Sequence, residues 1–271
     1  MFSKETAWLS EQILKLKARQ FSQVKIHNDW INNMAEKEIC APKEWHLDLP
    51  WLWFIFRPMW ECSHKERIGE IFDGGKWHCN LKALENVAKQ GGTCVAYSLG
   101  SNGQVEYEVS LQRRTGCEVH IFDPTVAEPS GLPSGIRFHK IGIAGEEGTI
   151  TVGGNKFPAK PLWKIMNDLG HTHLHSLKID IDGYEYESLD VLLERSWGGK
   201  SILSDQVDEL LLEFHWKGQD IAIRAFEQIL GAGFRIFSHE PNLFYITQPA
   251  AGIEYSFIHN RVARAYELQL A

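Results

Sequence analysis

Segments with strand-like and helix-like patterns alternate from about Gly91 onward, and this alternation limits the fold more than any other feature of the chain. Strands are predicted at 93–99, 118–122, 137–143, 177–181 and 209–214. Helices are predicted at 104–114, 162–169, 184–195 and 221–230. Such alternation is typical of a mostly parallel sheet with helices on both faces. Strand-like runs at 234–238, 243–247 and 254–258 predict an antiparallel hairpin at the sheet edge, before a short helix at 262–270.

The first 90 residues follow a different pattern. Apolar residues recur at loose helical intervals between positions 5 and 39, which predicts one or two amphipathic helices. An aromatic segment follows at 47–60, and a further helix is predicted at 80–89. A chain of 271 residues suits one α/β domain with an appendage. We therefore predict a helical, aromatic N-terminal cap over residues 1–90 and an α/β domain over residues 91–271, with the oligomeric state left open.

The aromatic segment at 47–60 has two interpretations. It is short for a membrane span and is interrupted by Pro50, Arg57 and Pro58, so we expect no transmembrane helix. Its tryptophans could pack against the main domain, or they could make peripheral contact with a membrane interface. The preceding N-terminus carries charge in every turn and has no apolar core, so no signal peptide is expected.

Charge and cysteine content narrow the class of partner and the compartment. The net charge of −7 disfavours a broad basic face, so we expect no nucleic-acid partner. The five cysteines, at positions 40, 62, 79, 94 and 117, include no CxxC pair. They are predicted to be mostly reduced thiols, which favours the cytoplasm. The run of His171, His173 and His175 is interpreted as a solvated linker and not as a metal site.

A glycine-containing turn follows the first strand of the α/β region. Gly100 and Gly103 stand where this strand passes into a helix, so the backbone can approach a ligand near free helix N–H groups. Asp123 ends the second strand 20 residues after Gly103, a position from which an acid can accept the hydroxyls of a ribose. Together these features predict a nucleotide-type cofactor.

The loop sequence separates two cofactors. A dinucleotide site requires a third glycine around the diphosphate, but this chain has Gln104 and Glu106 in that region. An acidic residue disfavours phosphates, whereas S-adenosylmethionine has none. The methyl donor is therefore favoured, and an NAD-dependent oxidoreductase stays as the alternative. A non-catalytic scaffold that keeps the cofactor pocket is a second alternative.

Several motifs together resemble a known family. They are FDGGKWHC, YSLGSNGQVEYE, VHIFDPT, LKIDIDGYEYESL and LLLEFHW. In this order they are similar to the methyltransferase-like protein 24 group, which is distantly related to the FkbM-type methyltransferases. The resemblance implies a class I methyltransferase fold with a seven-stranded, Rossmann-like sheet and S-adenosylmethionine as methyl donor. FkbM-type proteins have an aspartate near the end of the first strand, where this chain has Ser98.

The resemblance also implies cofactor contacts. Gly100, Ser101, Asn102 and Gly103 would surround the methionine portion, Asp123 with Pro124 would hold the ribose, and Gly142 and Ile143 would lie near the adenine. Asp180 is expected at the mouth of the fourth strand. The turn 73–77, with Lys76 and Trp77, either folds over the cofactor or is a turn before a helix with Trp77 in the core.

Two pairs of polar residues alternate at the ends of later strands. Asp180 and Asp182 would face one way, and so would Glu213 and His215. We predict Asp180, Asp182 and His215 as catalytic residues, acting directly or through Mg²⁺, Mn²⁺ or iron. The predicted reaction is methyl transfer to oxygen or nitrogen of a small-molecule acceptor, whose identity is left open.

Overall fold

The computed structural model describes residues 56–71, 73–194, 196–197, 200–242 and 252–263. The helices predicted before residue 40, most of the aromatic segment and the predicted strand at 243–247 lie outside these residues. Residues from Pro58 onward form one compact unit. The predicted division into a cap over residues 1–90 and a domain over residues 91–271 therefore stays a prediction.

A seven-stranded sheet forms the centre of this unit. Its strands, in chain order, are β3 (Val95–Leu99), β4 (Glu118–Phe122), β5 (Ile136–His139), β9 (Leu174–Ile179), β12 (Val207–His215), β13 (Phe234–Pro241) and β14 (Gly252–His259). Their spatial order is β13-β14-β12-β9-β3-β4-β5, and β14 runs antiparallel to both of its neighbours. Numbered along the chain, the order is 3-2-1-4-5-7-6. The dinucleotide-binding order is 3-2-1-4-5-6, so the reversed seventh strand confirms the predicted class I methyltransferase sheet.

Helices connect the strands and cover the sheet. They are α1 (Leu81–Lys89), α2 (Glu106–Thr115), α3 (Leu162–Leu169), α4 (Glu185–Glu194), α5 (Ile202–Gln206) and α6 (Gln219–Gly231). The Asn80 side chain caps α1 by accepting the Ala83 N–H, and Leu81 and Leu84 are buried. Gly116 ends α2 at φ 73°, a conformation that costs glycine little. Residues 260–263 are helical, and the rest of the predicted last helix lies outside the described residues.

Several small elements escape the sequence prediction. They are β1 (Glu66–Ile68) paired with β2 (Lys76–His78), β10 (Ser196–Trp197) paired with β11 (Lys200–Ser201), and a three-stranded sheet of β6 (Gly142–Ile143), β7 (Gly148–Val152) and β8 (Asn155–Lys160). The strand predicted at 137–143 is two strands in different sheets. The Ile141 N–H donates to the His139 carbonyl, and this turn separates β5 from β6.

Two disulfides correct the prediction of reduced thiols. Cys62 pairs with Cys79 and Cys94 with Cys117, with Cα–Cα distances of 5.3 and 4.6 Å. Cys94 and Cys117 immediately precede β3 and β4, and the Glu118 N–H donates to the Cys94 carbonyl. Strand pairing, and not local spacing, brings these cysteines together. The prediction is wrong for four cysteines, while Cys40 lies outside the described residues, and the argument for the cytoplasm loses its basis.

The end of the aromatic segment packs on the sheet edge. The backbone N–H groups of Met59 and Trp60 donate to the Ile236 carbonyl. Trp60 and Trp77 pack against a buried cluster that contains Cys79 and Phe237. This contact matches the packing interpretation for Trp60. Within the described part of the chain, no helix has the length and apolar character that crossing a bilayer requires.

Candidate active site

A cavity of about 690 Å³ opens at the carboxyl ends of β3, β4, β9 and β12. Ligands of open α/β sheets bind at this end, where the strand order reverses. The loops after these strands form its floor, and the β7–β8 hairpin contributes Ile150 and Val152 to a wall. Asp73 and Gly74, from the turn between β1 and β2, also line it. The volume is in the range of cofactor and ligand sites.

Asp123 holds the glycine-containing loop in place. Its Oδ2 accepts the N–H groups of Ser101 and Asn102 at 3.0 and 2.9 Å, and its Oδ1 accepts the N–H of Thr125 at 2.9 Å. Burial raises the pKa of Asp123, but the bonds from Thr125, Ser101 and Asn102 outweigh it and hold the pKa below its ordinary value. The carboxylate is therefore ionised and already bonded to the loop. At Gly100, which has φ 84°, a Cβ would overlap the Asp180 carbonyl, so only glycine fits.

A buried acid lies beside Ser98. The Ser98 hydroxyl donates to Glu108 Oε1 at 2.5 Å, while Glu108 Oε2 has no hydrogen-bond partner. Glu108 is 1% exposed and lines the cavity from the first turn of α2. Lys178 Nζ is 3.8 Å from Glu108 Oε1 and donates to the Gly100 carbonyl at 2.9 Å. A buried carboxylate oxygen without a donor is costly, which makes it a strong site for a ligand cation.

Lys76 lies behind the cavity and forms ion pairs with two carboxylates. Its Nζ is 2.6 Å from Glu254 Oε1 and 3.2 Å from Asp180 Oδ2, and Lys178 approaches Asp180 Oδ2 at 3.4 Å. Burial would lower the pKa of Lys76, yet the charges of Asp180 and Glu254 raise it above its ordinary value. Burial would raise the pKa of Asp180, yet the two lysines and a hydrogen bond from Glu213 hold it well below its usual range. Asp180 is therefore a weak base.

The pKa of Glu213 is raised, in contrast to that of Asp180. Burial and the charges of Asp180 and Glu254 raise its pKa to about 10, so at neutral pH it is protonated and donates to Asp180. Its Oε1 accepts from Asn242 at 2.8 Å, and the same amide donates to Asp73 at 3.0 Å. Burial also raises the pKa of Glu254 to about 7, against the charge of Lys76.

His215 is oriented by Glu185. His215 Nδ1 lies 3.0 Å from Glu185 Oε1, and Nε2 lies 3.8 Å from Asp182 and 3.9 Å from Glu213. Glu185 Oε1 also accepts the N–H groups of Ile181 and Gly183. Burial alone would lower the pKa of His215, but the bond and charge of Glu185 and the charges of Asp180 and Asp182 raise it. A base oriented by a carboxylate is an arrangement for proton transfer.

The cavity brings together most of the predicted site residues. Those that line it are Gly100, Ser101, Asn102, Asp123, Gly142, Ile143, Asp180, Asp182 and His215. Lys76, Trp77, Gly103 and Pro124 are not among the lining residues. Lys76 lies behind Asp180, and Trp77, its neighbour on β2, points to the other face and donates to Glu240 at 2.7 Å. The alternation of side chains along a strand explains this division.

The predicted metal ligands do not form a compact set. The Asp182 side chain is 86% exposed, and its Oδ1 lies 3.8 Å from His215 Nε2. Among the described residues, Asp180, Glu213 and Glu254 are close enough to hold a cation. The Lys76 ammonium already contacts two of these three carboxylates.

Four residues of the site escape the sequence prediction: Glu108, Lys178, Glu185 and Asn242. Glu108 and Glu185 both lie in the first turns of helices, where acids are common for helix stability alone. Lys178 alternates with Asp180 along the same segment, so the alternation that selected Asp180 could also have selected Lys178. Asn242 has no local sequence signal.

The strand order, the cavity at the strand ends and the acid-held glycine loop define an α/β domain of the class I methyltransferase type. A family model described as a methyltransferase domain matches residues 10–259. The chain belongs to this methyltransferase-domain family.

Two curated relatives confirm the resemblance to the methyltransferase-like protein 24 group. The probable methyltransferase-like protein 24 of Homo sapiens is 27% identical over 69% of this chain and 59% of its own length. The protein of the same name from Rattus norvegicus is 30% identical over 48% of this chain and 35% of its own length. The chain thus spans little more than half the length of the human relative.

The solved structures that match this chain are distant from it. A Methanococcus jannaschii fibrillarin pre-rRNA processing protein is 9% identical, with a TM-score of 0.39 over 73% of this chain and 84% of its own. The Burkholderia thailandensis 1,6-didemethyltoxoflavin-N1-methyltransferase, solved with S-adenosylhomocysteine, is 11% identical, with a TM-score of 0.33 over 66% of this chain and 77% of its own.

Proposed function

We propose that this domain binds S-adenosylmethionine in the cavity and transfers its methyl group to oxygen or nitrogen of a small-molecule acceptor. The observation that carries the proposal is the buried Glu108 oxygen without a donor, beside a glycine loop held by Asp123. When bound, S-adenosylmethionine supplies an electrophilic methyl group on its sulfonium. It also carries an ammonium group, which is the type of donor that Glu108 lacks.

The cofactor residues then divide by role. The loop from Gly100 to Gly103 surrounds the methionine end, with the Glu108 carboxylate accepting the ammonium. Glu108 thus takes over from the aspartate that Ser98 replaces. Asp123 holds the loop and faces the ribose, and Gly142 and Ile143 lie by the adenine. Asp180 and Lys178 fix the floor of the cavity by their ion pair.

His215 is the proposed general base. Glu185 orients its ring through Nδ1, and Nε2 is the ring nitrogen that would accept the proton of an attacking hydroxyl or ammonium. The acceptor atom forms the new bond to the methyl carbon, and its proton passes to His215. Asp180 is less suited to this step, because its pKa is low and both lysines hold it as a carboxylate.

The acceptor is proposed to be small and neutral or cationic. Nine acidic residues line the cavity in the described part of the chain, against one lysine. They are Glu70, Asp73, Glu106, Glu108, Asp123, Asp180, Asp182, Glu187 and Glu213, of which Glu213 is protonated at neutral pH and adds no charge. This field disfavours phosphate groups, which agrees with the expectation of no nucleic-acid partner. It also disfavours the diphosphate of NAD.

Assistance of methyl transfer by a metal ion has less support than neutralisation of the carboxylates by Lys76. Lys76 supplies the positive charge between Asp180 and Glu254 that a divalent ion would otherwise supply. We therefore propose that methyl transfer requires no Mg²⁺ or Mn²⁺. A rate that depends on the concentration of either ion would contradict this.

The two disulfides support an oxidising compartment over the predicted cytoplasm. Mass spectrometry of the protein alkylated directly in cell extracts tests this proposal. Alkylation of all four cysteines in the native protein would restore the cytoplasmic prediction.

The function is tested by calorimetric titration with S-adenosylhomocysteine and with NAD, followed by a labelled-methyl screen of acceptors. We expect binding of the first and none of the second. Binding of NAD alone would favour the oxidoreductase alternative, and cofactor binding with no labelled product in any extract would favour the scaffold alternative.

The Glu108 assignment has its own variant test. Glu108→Gln removes a charge-assisted contact worth roughly 1.5–3 kcal/mol, so affinity for S-adenosylhomocysteine should fall about tenfold to a hundredfold. Glu227→Gln, at an exposed acid of α6 that does not line the cavity, is the control and should have little effect. Equal affinities of the two variants would contradict the role of Glu108.

A further inference from the structure

A cluster of histidines lies on the sheet away from the cavity. We define the histidine cluster as Glu118 and His120 of β4, His139 of β5 and His171 in the loop after α3. In the sheet register His120 pairs with Tyr97, and His139 pairs with Phe122. The His120 ring lies 5.1 Å from His139 and 4.9 Å from His171 between ring centroids. No member of the cluster lines the cavity, so the proposed methyl transfer does not use it.

Three members of the cluster converge through ligand atoms. One atom each of Glu118, His120 and His171 lies within 4.8 Å of the other two. His120 Nε2 is 3.0 Å from Glu118 Oε1, close to the separation of two ligands on a tetrahedral ion. His120 is fully buried, whereas Glu118 and His171 are partly exposed, which leaves a path from solvent.

Neighbouring groups fix the two imidazole rings. His120 Nδ1 lies 2.8 Å from His139 Nε2, and His171 Nδ1 lies 2.7 Å from the Tyr97 hydroxyl. Without an ion, His120 Nε2 donates to Glu118 Oε1. Both Nδ1 partners can accept a proton, so with an ion bound Nε2 would become the lone-pair nitrogen of each ring. Histidines that bind metals are held in this way through their second ring nitrogen.

The charge of Glu118 is shared. Arg137 approaches Glu118 Oε1 at 3.1 Å, the same oxygen that faces His120. The second carboxylate oxygen remains available to a cation. Arg137 is largely exposed and can keep its contact or turn into solvent without burying a charge.

A second group also has one ligand atom from each member within 4.8 Å of the other two, and it consists of His173, His175 and Asp208. Its atoms are more fully used, because Arg261 pairs with Asp208 at 3.1 Å and His175 Nδ1 accepts the Val95 N–H. This second group therefore serves as a comparison for the histidine cluster within the same protein. The histidine run interpreted as a solvated linker is therefore divided between two partly buried clusters.

We propose that Glu118, His120 and His171 bind a zinc ion, with His139 and Tyr97 as positioning residues. Two imidazoles and one carboxylate form a ligand set that zinc accepts, with water in the fourth position. The ion would connect β4, the neighbour of the edge strand β5, to the loop after α3. The site is independent of methyl transfer.

The test uses the full-length oxidised protein, dialysed against a chelator and then titrated with zinc chloride by calorimetry. Wild type should show a saturable site that is absent in His171→Gln and in Glu118→Gln. His173→Gln should keep it, and so serves as the matched control from the second group. X-ray absorption at the zinc edge should report nitrogen and oxygen ligands without sulfur.

Folding of each variant is checked by S-adenosylhomocysteine binding or, independently of that ligand, by far-ultraviolet circular dichroism. Tyr97→Phe should lower zinc affinity roughly 10- to 100-fold, a change that a purely structural role of Tyr97 would not cause. The proposal is overturned if wild type shows no saturable binding. It is also overturned if folded His171→Gln binds zinc as wild type does.

Discussion

Glu213 shows how one buried side chain makes the stability of the protein depend on pH. The pKa of Glu213 is about 10 in the folded state and near 4.5 in the unfolded chain. Between these two pH values the side chain is therefore protonated in the folded state and ionised in the unfolded state. The folded state then binds more protons than the unfolded state. The free energy of unfolding should therefore fall as pH rises between these two values.

The variant Glu213→Gln tests this, since glutamine resembles the protonated acid and does not titrate. We expect the free energy of unfolding of this variant, relative to that of wild type, to rise by roughly 2–3 kcal/mol between pH 6 and pH 8. Urea unfolding at the two pH values measures the change. Glu187→Gln, at a largely exposed acid, is the control. A constant difference between Glu213→Gln and wild type would show that Glu213 is ionised in the folded state.

His215 contributes in the same direction as Glu213, because its pKa is also raised in the folded state. Its pKa is raised above 6.5, so its stabilising effect is complete below pH 6.5 and is lost as pH rises through the folded value. Glu185→Gln removes the charge beside Nδ1 and should lower the pKa of His215. Titration of the His215 ring by NMR measures this directly, with His173 as the reference. A pKa unchanged in the variant would remove Glu185 as the cause.

The residues of the site differ in how far the sequence reveals them. Asp123, Asp180 and His215 end buried strands, and strand ends meet at one edge of a parallel sheet, so their place at the cavity could be predicted. Glu108 could not be, because a helix face becomes part of a site only when its packing angle is known. Lys76 is predicted to contact the cofactor, yet it lies behind the cavity wall. There its ammonium is the counterion of Asp180 and Glu254.

Among the elements, strands of the central sheet are predictable because they are buried on both faces and read as continuous apolar runs. β7 and β8 are mostly exposed and pair chiefly with each other, so the sequence from Gly148 to Lys160 carries little apolar signal. The β1–β2 pair has only three residues in each strand. The disulfides depend on strand pairing, which is a tertiary property.

The segment around Trp60, which bonds to the edge strand β13, gives a prediction about truncation. Deletion of residues 1–55 leaves the Cys62–Cys79 disulfide and the Trp60 contacts, so the remaining compact unit should fold and bind S-adenosylhomocysteine. Deletion of residues 1–65 removes both. Loss of a disulfide across 17 residues costs roughly 3 kcal/mol, which should lower the melting temperature by about 6–12 °C relative to the shorter deletion. Calorimetry compares the two. Equal melting temperatures would show that this segment adds no stability.

At the scale of the whole molecule, the net charge of −7 and the acidic cavity act on every ligand that approaches. Sinefungin carries one more positive charge than S-adenosylhomocysteine at the position of the transferred methyl group. It should therefore bind more tightly at low salt, and its affinity should fall severalfold between about 50 and 500 mM salt because exposed charges are screened. Affinity for S-adenosylhomocysteine should change less. The same salt dependence for both ligands would show that the cavity field does not act on this position.

The Cys94–Cys117 disulfide has a mechanical consequence. It closes a covalent ring of chain that includes the loop at Gly100 and the helix that carries Glu108. If the two ends of the protein are pulled apart, tension passes through the sulfur bridge, and the 23-residue span inside the ring bears no load. The fully stretched chain should be shorter by about 80 Å than the chain with this bridge reduced. Pulling on the termini alone therefore cannot draw the loop at Gly100 out to full extension.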